Sequence, residues 1–162
     1  MLKLDFLNVG DGDAILARET ESGYTLLVDT GRPCVEFTKG SRRLSALNHL
    51  MLERVDHIDR LVLTHLHIDH IGGTLEVLRH IPVKRLTAAY LPPEDARWID
   101  QPDSELKTIV GMRDVLNLFN DVVTDAQSRG TKIEIASRAP EQPAPGLMAQ
   151  FTIADAALRE RQ

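Results

Sequence analysis

A single cysteine among 162 residues, Cys34, excludes an internal disulfide and leaves no thiolate set for a structural zinc finger. It reads as a small packed hydrophobe in a reducing compartment. No apolar run approaches the length of a membrane span, and Met1-Leu2-Lys3-Leu4-Asp5-Phe6 has neither a long apolar core nor a cleavage site. A cytoplasmic protein with no membrane portion is the expectation. Cationic excess is missing too: 19 Lys and Arg against 24 Asp and Glu leave a net charge of −5. The global balance therefore calls for neither nucleic acid nor an anionic membrane. There is no internal repeat, and no histidine follows His80. With 43% apolar and 27% charged residues, the chain suffices for one core of moderate size.

Against that background one stretch is dense in chemistry. In Leu61-Val62-Leu63-Thr64-His65-Leu66-His67-Ile68-Asp69-His70-Ile71-Gly72-Gly73, three histidines and a carboxylate follow a short β-prone segment. Such a set gathers metal ligands at the mouth of a strand. If the chain stays extended past Thr64, alternation puts His65, His67 and Asp69 on one side, and His70 joins them if Asp69 begins a helix. Imidazole and carboxylate suit zinc or iron, whereas calcium wants an oxygen cage. The plainer reading makes Asp69 an N-cap of the following helix. Both roles are compatible.

Elsewhere, alternation over Leu2 to Val9, the loop Gly10-Asp11-Gly12-Asp13, and apolar stretches at Ala14 to Glu19 and Tyr24 to Val28 predict three strands. Asp13 and Asp29 stand at strand ends, where they either share an edge with the histidines or satisfy turn amides. Leu44, Leu47, Met51 and Val55 predict a helix capped by Ser41. Lys39, Arg42 and Arg43 at its start either meet a phosphate or are simply solvated. His49 and His57 read as solvent-facing, and His80, three helical turns from the cluster, is not a ligand. Arg60 to Thr64 and Val83 to Leu91 predict strands around a helix from Asp69 to Ile81. Gly72-Gly73 inside it costs roughly 1 kcal/mol each and points to close approach of backbone or ligand. A polar loop follows around Trp98 to Ser104. A long helix spans Leu106 to Ser128, its stripe formed by Ile109, Met112, Leu116, Phe119, Val123 and Ala126, with Gly130 as the stop. Thr131 to Ala136 predicts one more strand. Ser137 to Gly146, with three prolines, reads as loop or linker, and Leu147 to Gln162 is either a strand at Phe151 to Ile153 or a short helix.

Phe6-Leu7-Asn8-Val9-Gly10-Asp11-Gly12-Asp13-Ala14, Leu27-Val28-Asp29-Thr30-Gly31 and the histidine run together resemble a metallo-β-lactamase-fold metallohydrolase. Within that superfamily they look most like the hydrolase-like domain of bacterial DNA-uptake competence proteins. The resemblance covers roughly Leu4 to Gly73. It implies an α/β protein, an αβ/βα sandwich with metals at one edge. His65 and His67 would hold a first zinc ion and Asp69 and His70 a second, manganese or iron being alternatives. Asp29, with Asp13, would brace the site, and Asp69 would also orient the attacking water. The implied reaction is attack of hydroxide on an ester or phosphodiester, whether of a small molecule or a nucleic acid. Redox chemistry is disfavoured, since flavo-diiron relatives place an acidic residue where His67 stands.

Members of that superfamily supply a further His, a bridging Asp and a final His from the second half of the fold, and here no histidine follows His80. Asp95, Asp100 and Asp103 are carboxylates available to substitute, and spacing nominates none of them. The expectation is an incomplete sandwich: a truncated domain over residues 1–136 and a divergent proline-rich tail over 137–162. The alternatives are a site completed by another chain or a homo-oligomer, a divergent protein that binds metal weakly or not at all, and a non-catalytic module or inactive fragment that associates through an unfinished sheet.

Overall fold

The computed structural model describes residues 1–33, 40–91, 107–137, 141–144 and 147–150. Strands β1 (Leu2–Phe6), β2 (Ile15–Glu19) and β3 (Thr25–Val28) form an antiparallel meander, and α1 (Ala46–Leu52) leads into β4 (Arg60–Leu63). The chain continues through α2 (Ile68–Ile71), α3 (Thr74–His80), β5 (Arg85–Ala88), α4 (Lys107–Ser128) and β6 (Lys132–Ile135). A hairpin of β7 (Glu141–Ala144) and β8 (Leu147–Ala149) closes the described part. The six-stranded sheet runs in the order β1-β2-β3-β4-β5-β6, antiparallel in its first half and parallel from β3 onward. Each parallel step needs a crossover, and α1, the α2–α3 pair and α4 supply them. The protein is thus α/β with a mixed sheet, in keeping with the expected layered class.

One face of the sheet carries the core. Leu16, Leu27, Leu61, Leu63 and Leu86 are all buried against Leu47 and Leu50 of α1, Val77 and Leu78 of α3, and Phe119, Val122 and Ala126 of α4. Register explains the alternation: Leu16 lies opposite Leu27 and Asp5, so the flanking Leu4 and Phe6 point to the other face, where they are exposed. That second face carries the β7–β8 hairpin, which packs Ala144 near Tyr24 and Leu26. It also holds the fully buried Arg60, whose guanidinium donates to Thr87 Oγ1 at 2.8 Å and to Glu141 Oε2 at 2.6 Å. Glu134 adds a second carboxylate at 3.6 Å. A buried guanidinium demands such partners, so these contacts fasten the hairpin to the sheet.

Several local expectations are corrected. Ser45, not Ser41, caps α1: its side chain accepts from Asn48 N at 3.2 Å, while Ser41 Oγ accepts from Arg43 N within the preceding turn. The helix expected over Asp69 to Ile81 is two helices, broken at Gly72-Gly73 because Gly73 N turns aside to Gly31 O. On α4 the buried position is Val122, with Val123 partly covered and Met112 exposed. The stretch Ser137 to Gly146, read as loop or linker, contains β7, with Pro143 placed in a two-stranded hairpin of irregular register. Phe151 to Ile153 and Trp98 lie outside the described residues. Among the described residues, no helix is long and apolar enough to cross a membrane.

At the β2–β3 turn the Glu19 carboxylate accepts from Ser22 N, Glu21 N and the Met1 amine. These bonds, the Ser22 amide foremost and the Glu21 amide next, hold its pKa down to about 2 from an ordinary 4.5. A depressed carboxylate pKa contributes stability that is present above the unfolded value and is lost as pH falls through the folded one. The denaturation midpoint should therefore drop as pH falls from about 4.5 to about 2, and Glu19→Gln should flatten the profile in that window. Parallel urea titrations across acid pH measure this. Identical slopes for the two proteins would refute the assignment.

Candidate metal centre

The C-terminal ends of β3 and β4 meet at one rim, the place where open parallel sheets expose backbone for ligands. β3 delivers Asp29, which is 2% exposed and sits in the left-handed region at φ 55°. Few residues tolerate that conformation, and aspartate is one of them. Its position is bought with bonds: Asp29 Oδ1 accepts from Thr64 N at 2.9 Å, and Oδ2 accepts from Thr64 Oγ1 and lies 2.9 Å from His70 Nδ1. A carboxylate only accepts, so Nδ1 of His70 carries the proton and Nε2 presents its lone pair.

Past Leu63 the chain does not remain extended. His67 N donates to His65 O at 3.1 Å and His70 N to His67 O at 3.0 Å, folding the run into a tight turn before α2. Alternation therefore does not set the grouping. His65 lies against His70 with ring centroids 3.9 Å apart and ring planes tilted by 50°, and meets His67 edge-on at 4.6 Å. Ligand atoms of Asp29, His65 and His70 all lie within 4.8 Å of one another. Asp69 Oδ2 is 3.9 Å from His70 Nε2, on the side away from Asp29. His67 is the N-cap of α2 and makes no side-chain cap bond, while Asp69 is inside the first turn and not the cap.

Backbone packing holds the turn from behind. Thr30 donates to His70 O through both its amide, at 2.7 Å, and its hydroxyl, at 3.0 Å. The glycine loop after β1 presses on the run from the other side: a Cβ on Gly12 would lie 1.7 Å from Asp69 O. A Cβ on Gly73 would lie 2.6 Å from Thr30 O, the close approach of backbone that the glycine pair implied. His65 has much of its ring open to solvent, yet its packed flank lowers its pKa, first by desolvation and then through the neighbouring His70 and His67. A neutral imidazole is the ligating form.

Other expected residues fall elsewhere. Asp13 contributes its carbonyl to Gly31 N, with an exposed side chain outside the Asp29–His65–His70 group. His49 and His57 are half-buried instead of solvent-facing: His49 Nε2 lies 3.3 Å from Asn8 O, and His57 Nδ1 lies 2.7 Å from Asp56. His80 bonds Glu76 O within its own helix. Arg42 and Arg43 are exposed, and Cys34, Lys39, Asp95, Asp100 and Asp103 lie outside the described residues. Thr64 and Thr30 were not singled out from sequence. The only signal was their place beside charged motif residues at strand ends, which threonines share with many turns.

Imidazole and carboxylate donors gathered within 4.8 Å of one another at a strand rim are a donor set that could hold a divalent transition metal, which makes this rim the candidate metal centre of the α/β fold. The chain belongs to the metallo-beta-lactamase superfamily, whose sequence profile matches residues 7–146. A stretch of 85 residues is 35% identical to hydroxyacylglutathione hydrolase of Aeromonas hydrophila subsp. hydrophila, covering 49% of this chain and 28% of that protein.

Gly12 combines φ +84° with contact on the Asp69 carbonyl, whereas Gly23, at φ +72°, has nothing within 4 Å of an added Cβ. Gly23→Ala should cost about 1 kcal/mol from backbone strain alone. Gly12→Ala should cost at least about 2 kcal/mol more, since the whole turn must move. Chemical denaturation of the pair measures the difference; equal losses would mean that the loop does not clamp the histidine run.

Proposed function

We propose that the chain is a metal-dependent hydrolase in which His65, His67, Asp69 and His70 hold the metal and Asp29 braces His70, cleaving an ester or phosphodiester of a small molecule or nucleic acid. The observation that carries this reading is the convergence of Asp29, His65 and His70 ligand atoms within 4.8 Å in a member of a hydrolase superfamily. Zinc is the first candidate, with manganese and iron behind it, because the donor set is imidazole and carboxylate without thiolate. When bound, such a cation lowers the pKa of water toward ~7 and polarises the bond under attack.

The residues divide the remaining work. Asp29 fixes the tautomer and angle of His70 from the protein side, the way carboxylates commonly orient metal-binding histidines. His65, kept neutral by its packed neighbours, offers a second nitrogen, and His67 lies beside it at the mouth of α2. Asp69, facing His70 Nε2, is placed to take the proton of the attacking water as its oxygen bonds to carbon or phosphorus, and to return it to the departing oxygen or sulfur. Asp13 serves through the backbone of its loop, its carbonyl bonded to Gly31 beside Asp29.

Two finer readings go with this proposal. The competence-protein likeness rests on the Gly10 to Ala14 loop and the Leu63 to Gly73 run, and the matched relative is named for hydrolysis of an acylated glutathione. A single cysteine and an acidic balance fit a cytoplasmic setting. The hydrolase portion spans residues 1–136, to which Arg60 fastens the β7–β8 hairpin that follows, with additional ligands supplied by a complementing chain or a second copy.

Calorimetric titration with zinc or manganese tests the site. The wild-type chain should bind at least one ion; His70→Ala and His65→Ala should each weaken binding at least about 100-fold, and Asp29→Asn about 10- to 100-fold. Absence of saturable binding, or variants that bind as the wild type does, would remove the metal centre and the hydrolase reading with it. Hydrolysis of 4-nitrophenyl acetate and of bis(4-nitrophenyl) phosphate by the metal-loaded chain gives the second readout.

A further inference from the structure

The histidine run is also one lining of a cleft of about 750 Å³. Leu63, Leu66 and Ile68 continue that lining, Ala89 and Tyr90 beyond β5 add to it, and α4 faces them with Gly111, Met112, Val115 and Leu116. His65, His67 and Asp69 supply its polar groups apart from the Tyr90 phenol, and no lysine or arginine is among its described lining residues. Tyr90 packs on Phe119 with ring centroids 5.6 Å apart, so its ring forms a fixed apolar wall. Met112, exposed on α4 and unbranched, adapts to whatever lies against it.

A cavity of this size, mostly apolar with a few convergent polar groups, has the character of a small-molecule site. Its charge argues the class of ligand. Binding a phosphodiester backbone draws on cationic side chains, and among the described lining residues the one side chain from Asp, Glu, Lys or Arg, Asp69, is an acid. We propose that this cleft takes the apolar acyl group of a carboxylic ester or thioester, with the carbonyl lying toward His65, His67 and Asp69. This rests on the metallohydrolase reading and narrows it from esters and phosphodiesters to acyl substrates.

Gly111 allows the proposal to be tested without harming the fold. It lies within α4 and lines the cleft, and a Cβ there meets nothing within 4 Å. Replacing a mid-helix glycine raises helix propensity, so Gly111→Leu should keep or raise the melting temperature while filling the space. Methyl n-alkyl ketones of increasing length, titrated calorimetrically into the chain without added metal, serve as uncleavable carbonyl probes. Affinity should rise roughly three- to fourfold per methylene in the wild type. Gly111→Leu should lose at least about tenfold for the longest ketone, with Gly111→Ala between, from each methylene that no longer fits. A flat series, a rising series untouched by Gly111→Leu, or tighter binding of dimethyl phosphate than of any ketone would overturn the proposal. Zinc affinity of the same variants should equal that of the wild type. Loss of zinc binding by wild type and variants alike, with the ketone series intact, would instead remove the metal centre and leave the cleft standing.

Discussion

A buried carboxylate organises the rim of this protein. Asp29 is nearly inaccessible, and its backbone occupies a conformation that side-chain-bearing residues rarely adopt. An ionised group in that position is tolerable only when its lone pairs are spoken for. Thr64 and His70 answer for them, one from the end of β4 and the other from α2. Three pieces of the fold, β3, β4 and α2, are thus tied to one side chain. The same bond that satisfies Asp29 also decides which nitrogen of His70 faces outward, so local stability and ligand chemistry share a single cause.

The surrounding glycines make that arrangement possible by allowing backbone to touch backbone. The Gly12 loop rests on the Asp69 carbonyl, and Gly73 rests on Thr30, whose hydroxyl and amide grip the carbonyl of His70. The histidine turn is therefore clamped between the β1–β2 loop and the residues that follow β3. A site on a loop is ordinarily less well fixed than one on a strand or helix, and here close contact with two strand ends makes up the difference.

Much of the sheet could be read from the chain, for identifiable reasons. Leu16, Leu27, Leu61 and Leu86 belong to short apolar runs bounded by turn residues, and the stripe on α4 repeats at helical spacing over a long window. The end of α4 at Ser128 and the strand after it were legible from Gly130 and the β-branched residues beyond. The hairpin of β7 and β8 was not. Three prolines between Ser137 and Gly146 signal loop, and what holds the hairpin is Arg60, eighty-one positions from Glu141, a partner no local pattern can announce. The histidine run shows the same division. Its residue types named the chemistry, but the grouping of His65 with His70 and Asp29 arises from a turn closed by main-chain bonds, where simple alternation gives a different set.

That difference bears on how the candidate metal-binding groups are arranged. Alternation would align His65, His67 and Asp69 as one face and leave His70 to join from the helix. The observed turn instead brings the rings of His65 and His70 to 3.9 Å and sets Asp69 beyond His70 Nε2, so His70 stands between two carboxylates. One of these, Asp29, is buried and already engaged through Nδ1; the other, Asp69, is half-exposed and borders the apolar cleft. Burial separates the two. The enclosed carboxylate is tied to the imidazole and to Thr64, whereas the open one borders the cleft with its oxygens within reach of solvent. Burial along the run is therefore graded from the sheet outward, from the enclosed Asp29 to the half-exposed Asp69, with His70 as the joint between them.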